Sequence, residues 1–243
     1  LAYWGVGACL ADQMGLGKTL QALAVILQRA PQGATLIIAP TSVCMNWISE
    51  AQKFAPTLNL IQFGSGNRHE LQPFDMLVCS YGLLQQEEVA QMLSEVEWQT
   101  IVLDEAQAIK NIATKRSQAA MNLQSEFKLI TTGTPVENHL GELWNLFRFI
   151  NPGLLGSRES FNQRFAVPIE KCQDKQARQR LKKLIQPFLL RRTKTQVLSE
   201  LPSRTEITLH VELSREEMAM YEALRQQAIT KLADSDATAG HKH

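Results

Sequence analysis

The octapeptide Asp12-Gln13-Met14-Gly15-Leu16-Gly17-Lys18-Thr19 constrains what this chain can fold into more than any other feature. Two glycines one residue apart mark a turn that needs a permissive backbone. An apolar run at 7–11 precedes it, and Leu20, Leu23, Ala24 and Leu27 follow at helical spacing. Strand, loop and helix are the local structure this order dictates. Gly15 and Gly17 let backbone N–H groups curl around an anion, and the N-terminus of the following helix adds partial positive charge. A plain turn before an amphipathic helix needs glycine but has no need of Lys-Thr. The pattern therefore predicts a phosphate-gripping stretch from Asp12 through Leu20, with Lys18 reaching the β- and γ-phosphates of a nucleotide and the Thr19 hydroxyl holding Mg²⁺.

Short apolar runs recur at 36–39, 58–63, 76–79, 101–103 and 129–131, with helical stretches between them. That alternation predicts an α/β fold, a parallel sheet with helices on both faces. Each run ends in a polar or turn residue, among them Pro40, Ser80, Asp104 and Thr132. Ligands bind beyond the carboxyl ends of such strands, so these residues are expected to line one crevice with the glycine loop. After Pro135 the pattern changes. Leu140, Leu143, Trp144 and Phe147 mark an amphipathic helix, Asn151-Pro152-Gly153 interrupts the chain, and a mainly helical extension follows. An extended piece is expected at 206–213. A last helix starts at Ser214, which with Glu217 has a capping-box pattern ahead of Met218, Tyr221, Leu224, Ala228 and Leu232.

The second chemical anchor is Asp104-Glu105-Ala106-Gln107 at the end of the run 101–103. A strand that delivers two adjacent carboxylates suits a magnesium nucleotide. Asp104 is expected to hold the metal through its water shell, and Glu105 to orient and deprotonate an attacking water. Gln107 has two readings: a sensor of the γ-phosphate, or a hydrogen-bond partner of the next strand end. That strand end is Thr132-Gly133-Thr134, whose hydroxyls and glycine suit a relay from nucleotide state to the adjacent helix.

Composition narrows the class. The 243 residues carry 44% hydrophobic and 20% charged side chains, as soluble proteins do, and no apolar run reaches membrane-spanning length, so neither a membrane nor a secreted protein is expected. With 25 basic against 24 acidic residues, nucleic-acid binding has to come from local patches. One such patch exists. Residues 171–194 hold nine basic side chains and one acid, Asp174. Lys171, Lys175, Arg178 and Lys182 fall on one helical stripe, with Leu181, Leu184, Ile185 and Phe188 on another; a solvated face and a DNA-phosphate contact both account for it. Arg191 and Arg192 adjoin an apolar anchor, which suits pairing with carboxylates instead. Cys9, Cys44, Cys79 and Cys172, like the five histidines, lack metal-ligand spacing, and the thiols read as buried or free in a reducing compartment. Both chain ends read as cuts through something longer.

Taken in order, Asp12 to Thr19, Ala39-Pro40-Thr41-Ser42, Asp104 to Gln107 and Thr132 to Pro135 resemble the first RecA-like lobe of superfamily-two helicase-like ATPases. Glu142-Leu143-Trp144, Pro187-Phe188-Leu189-Leu190-Arg191-Arg192-Thr193-Lys194, Leu201-Pro202 and Leu213-Ser214 with Tyr221 narrow the resemblance to SWI/SNF-type DNA translocases. Gln13 replaces the family's usual Glu, and Gln107 the His usual in eukaryotic remodelers, so the variant looks more like bacterial or archaeal members. The resemblance implies ATP and Mg²⁺ as ligands and double-stranded DNA as partner. It implies surface contacts to DNA from Thr41, Ser42, Asn46, Ser80, Tyr81, Lys110 and Asn111, whereas Trp47 reads better as core. It divides the chain into a lobe at 1–153, a helical protrusion at 154–213, a helix at 214–234 leading toward a second RecA-like lobe that this chain lacks, and a disordered tail at 235–243. The family's adenine-reading glutamine segment and its arginine fingers are also absent, so this chain alone is expected to be nearly inactive. Two other classes fit the nucleotide motifs: a non-catalytic scaffold docking a protein such as RNA polymerase, and an RNA-duplex helicase. The expected location is cytoplasmic and nucleoid-associated in a bacterium, or nuclear in a eukaryote.

Overall fold

A computed structural model describes residues 1–62, 71–133, 139–197 and 214–239. Seven strands form one parallel sheet: β1 (Ala8–Leu10), β2 (Thr35–Ala39), β3 (Asn59–Gln62), β4 (Asp75–Ser80), β5 (Glu97–Leu103), β6 (Gln124–Thr131) and β7 (Leu189–Leu190), in the order β3-β4-β2-β5-β6-β1-β7. The first six coincide with the apolar runs. The seventh is a departure, because the expected protrusion returns to the sheet and Leu189–Leu190 pairs with Cys9–Leu10 at the edge.

Both faces of the sheet are covered, as parallel pairing requires. In β2, Ile37 and Ala39 pack with α1 (Lys18–Arg29) and α2 (Thr41–Phe54) through Leu23, Ile26, Trp47 and Ala51. Leu36 and Ile38 point the other way, into a second core. That core is roofed by α3 (Tyr81–Leu84), α4 (Glu87–Ser94), α5 (Lys115–Met121) and α6 (Leu140–Ile150). It runs on without a break into α7 (Arg158–Phe161), a π-helical turn (Asn162–Ala166), α8 (Val167–Glu170) and α9 (Lys175–Ile185), through Phe161, Phe165, Ile169, Ala177 and Leu181. Residues 1–199 therefore form one compact unit, and the expected boundary at 153 falls inside its core. The unit's last helical turn is α10 (Lys194–Val197).

Asn151 ties this point of the chain back to β1. Its side-chain amide accepts from the Gly7 N–H at 2.8 Å and donates to the Gly7 carbonyl at 3.2 Å, extending β1 by one rung. A Cβ on Gly7 would stand 2.6 Å from the carbonyl oxygens of Lys128 and Ile150, so only glycine fits.

The second unit, residues 200–243, contains α11 (Arg215–Ala239). Its N-terminus has the expected capping box: the Ser214 N–H donates to Glu217 Oε2 at 2.9 Å, and the Glu217 N–H to Ser214 Oγ at 3.3 Å. The helix continues to Ala239, so residues 235–239 are helical where a disordered tail was expected. The expected extended piece at 206–213 and Leu201-Pro202 lie outside the described residues. Among the described residues no helix is long and apolar enough to cross a membrane.

Candidate nucleotide and coupling site

From the end of β1 the chain turns through Gly15 (φ +86°) and Gly17 (φ +73°) into α1, which begins at Lys18. Both angles lie where side chains are strained, which is the physical demand for glycine here. No side chain caps α1 and its first turn holds no acid, so its leading N–H groups are available to an anion. Lys18 Nζ donates to the Asp12 carbonyl at 3.0 Å, which holds its ammonium against the loop, with Thr19 half-buried beside it. Met14 and Leu20 are exposed and Leu16 is half-buried.

The side chains of Asp12 and Gln13 are engaged within the protein. The buried Asp12 carboxylate accepts from the Arg192 backbone N–H at 2.9 Å, from Arg192 Nη2 at 2.5 Å and from Gln21 Nε2 at 3.2 Å. Burial pushes its pKa up, but the hydrogen bonds from Arg192 and Gln21 and the Arg192 charge outweigh this and hold it below the usual carboxylate range. The Gln13 N–H donates to the Arg192 carbonyl at 3.0 Å, and its Oε1 accepts from the Lys194 N–H at 2.8 Å. These two residues shape the loop by fastening it to 192–194. Of the two readings of the double arginine, carboxylate pairing is the one seen at Arg192. Arg191 instead donates to the carbonyls of Ala11 (3.4 Å) and Gly133 (3.3 Å).

β5 delivers Asp104 and Glu105 to the same edge of the sheet. Trp47 Nε1 donates to Asp104 Oδ2 at 2.8 Å, the Glu105 N–H donates to Oδ1 at 3.0 Å, and the Thr131 hydroxyl also bonds Oδ1. Tyr81 adds a bond from its hydroxyl to the Asp104 carbonyl at 2.9 Å. The carboxylate is thus oriented from α2 and β6 and by the peptide that follows it. Glu105 stands in the left-handed region at φ +48°. Gln107 Nε2 donates to Glu105 Oε2 at 2.8 Å, while its Oε1 accepts from the Thr132 hydroxyl at 2.9 Å. Thr132 in turn donates its N–H to the Leu10 carbonyl at 3.1 Å. The second reading of Gln107 is the one seen: it links the β5 and β6 ends, and Thr132 continues the link to the β1 end, where the glycine loop starts. Gly133 closes this run; Thr134 lies outside the described residues.

The residues expected on a DNA surface separate into two groups. Thr41, Ser42, Asn46 and Asn111 are exposed, and Asn46 donates to Glu50 at 3.0 Å. Lys110 is half-buried and pairs with Glu142 at 3.4 Å. Ser80 and Tyr81 form the second group. Both are buried, Ser80 Oγ caps α3 by accepting the Leu83 N–H at 3.2 Å, and the Tyr81 hydroxyl donates to the Asp104 carbonyl at 2.9 Å, so neither side chain lies open on the surface. Trp47 is core, fully buried and bonded to Asp104.

On α9, Asp174 caps the first turn, Ala177 and Leu181 face the core, and Lys175, Arg178, Arg180, Lys182 and Lys183 are exposed. Lys171 precedes the helix instead of sharing its stripe. The thiols of Cys9 and Cys79 are pushed up to about 12 by burial, so neither is a nucleophile at neutral pH. Among the described residues no group of three or more His, Cys, Asp or Glu could hold a metal by itself.

With this geometry in place, comparison with known proteins is decisive. The family described as the SNF2-related domain matches residues 4–242. The chain belongs to the SNF2-related family. It is 44% identical over 233 residues to YwqA of Bacillus subtilis, named as an ATP-dependent helicase/translocase, an alignment covering 90% of this chain and 25% of YwqA. It is 36% identical over 258 residues to the chromatin-remodeling ATPase INO80 of Arabidopsis thaliana, covering 96% of this chain and 17% of INO80. The solved SWI2/SNF2 ATPase core of Sulfolobus solfataricus in complex with dsDNA superposes with a TM-score of 0.75 at 40% identity, over 96% of this chain and 50% of that one. The SWI2/SNF2 ATPase core domain of the same organism superposes with a TM-score of 0.71 at 41% identity, over 94% of this chain and 48% of that one. The SNF2-related chain thus spans about a quarter or less of these curated relatives and about half of each ATPase core. What the sequence did not disclose is the grip of Trp47 and Thr131 on Asp104 and the return of 189–194 to the loop. The dense cations of that block were the only hint of the latter.

Proposed function

We propose that this chain is the nucleotide-binding lobe of an ATP-dependent translocase on double-stranded DNA. The observation that carries the reading is the bonded run Glu105–Gln107–Thr132, which joins the carboxylate pair of β5 to the strand end beside the glycine loop. A scaffold without catalysis has no use for a carboxylate held at a strained backbone and wired to its neighbour. DNA as the polymer is supported by the likeness to an ATPase core described in complex with dsDNA.

The residues present fit a magnesium nucleotide. The glycine loop and the open α1 terminus supply N–H donors, Lys18 supplies charge, and Thr19 and Asp104 are the oxygens a hydrated Mg²⁺ ordinarily takes, alongside phosphates and waters. When bound, the metal neutralises charge between phosphates. Asp104, fixed by Trp47 and Thr131, would hold that hydrated ion, and Glu105 would orient the attacking water and accept its proton. Gln107 and Thr132 transmit the resulting shift toward the β6 end. Thr41, Ser42, Asn46, Asn111 and the exposed cations of α9 offer the polymer phosphate contacts that ignore base identity. Residues 1–243 span about half of the matched ATPase core, so by themselves they are expected to bind nucleotide and turn it over little, with transition-state charge left incompletely neutralised.

The test is made in the intact two-lobe protein. Lys18→Ala is expected to remove nucleotide binding, and Glu105→Gln to keep binding while abolishing hydrolysis stimulated by duplex DNA. Undiminished turnover in either variant overturns the site assignment, and stimulation by duplex RNA in place of DNA overturns the choice of polymer.

A further inference from the structure

The phosphate loop carries a second ammonium that arrives from the far end of the lobe. A Cβ built on Gly15 would meet Lys194 Nζ at 3.2 Å and Cε at 3.3 Å, so the Lys194 side chain lies directly over the loop's first glycine. Its backbone is fixed there across 181 residues of sequence by the 2.8 Å bond from its N–H to Gln13 Oε1. Arg192, two residues earlier, pairs with Asp12, and β7 pairs with β1, so the approach is set by three independent ties. No described carboxylate pairs with Lys194. The loop's own acid, Asp12, is turned beneath it and already engaged by Arg192. Lys18 Nζ stands on the same loop against the Asp12 carbonyl. Two ammonium groups are thus presented by one loop, and an anion bound between them would favour both charges. A polyphosphate is the ligand chemistry that satisfies both.

We propose that Lys194 is a second phosphate-binding residue of this site, acting with Lys18 on the polyphosphate tail of the nucleotide. The inference rests on the nucleotide reading above. It assigns to the Arg-Arg-Thr-Lys block the delivery of charge to the ligand in addition to a packing role: Arg192 positions, Lys194 binds.

The experiment is calorimetry on the chain of residues 1–243 with ATPγS and with inorganic tripolyphosphate, each with Mg²⁺, at low and at high salt. Lys194→Met keeps the apolar stem and removes the charge; Lys194→Arg keeps the charge. Lys194→Met is expected to weaken both ligands roughly tenfold at low salt, the scale of one charge-assisted hydrogen bond. The loss shrinks as salt rises, because the lost attraction is screened, and Lys194→Arg recovers most of the affinity. If Lys194→Met binds as the unmodified chain does while Lys18→Ala does not bind, the proposal is overturned and the nucleotide reading stands. If the loss is the same at every salt concentration, or Lys194→Arg fails to recover it, the residue is structural and the proposal is likewise overturned. If the unmodified chain binds neither ligand, the nucleotide reading itself fails.

Discussion

Glu105 occupies a backbone conformation, φ +48° and ψ +54°, that a side chain adopts at a cost of roughly 1–2 kcal/mol. The fold tolerates this because Asp104 next to it is fixed by Trp47, Thr131 and the Glu105 N–H itself, which leaves the following peptide little choice. The strain turns the Glu105 side chain to where Gln107 reaches it at 2.8 Å. Function and stability therefore oppose each other at this residue. Glu105→Gly is expected to raise the stability of residues 1–243 by about 1 kcal/mol in chemical denaturation, since glycine takes the left-handed region freely. In the intact protein the same change is expected to remove the proposed hydrolysis. A Glu105→Gly chain less stable than its parent would show that the Gln107 bond outweighs the backbone strain.

Elements were legible in the sequence to the extent that periodicity encodes them. Six strands stand where the apolar runs stand, and the Ser214–Glu217 pattern forms the capping box that its spacing predicts. β7 was not legible, because two residues carry no period and read only as part of an apolar anchor beside the arginines. Nor was the role of Asn151. The sequence Asn151-Pro152-Gly153 marks a break, and it is one for α6, yet the Asn151 side chain reaches 144 residues back to complete a three-residue strand. Long-range side-chain pairing of this kind leaves no mark on local composition. It makes a testable demand on β1 and α6 together. Asn151→Ala leaves the Gly7 N–H and carbonyl buried without that partner and is expected to cost about 2 kcal/mol in denaturant unfolding. Gly7→Ala drives a methyl against two backbone oxygens at 2.6 Å, so β1 must shift, and it is expected to cost about 3 kcal/mol. Values near zero for both would mean that β1 is held by its strand partners alone.

Across the whole lobe, the chain closes on itself at the site. The glycine loop lies within the first 20 residues, and the segment that fastens it lies some 180 residues later, beyond a helical extension built into the same core. An insult at either end is therefore felt at the other. The Asp12–Arg192 pair makes the closure dependent on pH, and the sign follows from the direction of the shift. The Asp12 carboxyl is held below its ordinary value in the folded chain, so the unfolded chain binds the proton more readily. The pair's contribution is complete above the unfolded carboxyl value of about 4 and is lost as pH falls through the lower folded value. Asp12→Asn removes the charge at every pH. The parent is therefore expected to exceed Asp12→Asn in urea midpoint at neutral pH, with the difference narrowing only below about pH 4. Nucleotide affinity of Asp12→Asn falls at neutral pH in the same measurement series, because releasing Arg192 also releases Lys194 from Gly15. A difference in midpoint that stays constant from neutral to acid would show that the Asp12 charge does not hold the two ends of the lobe together.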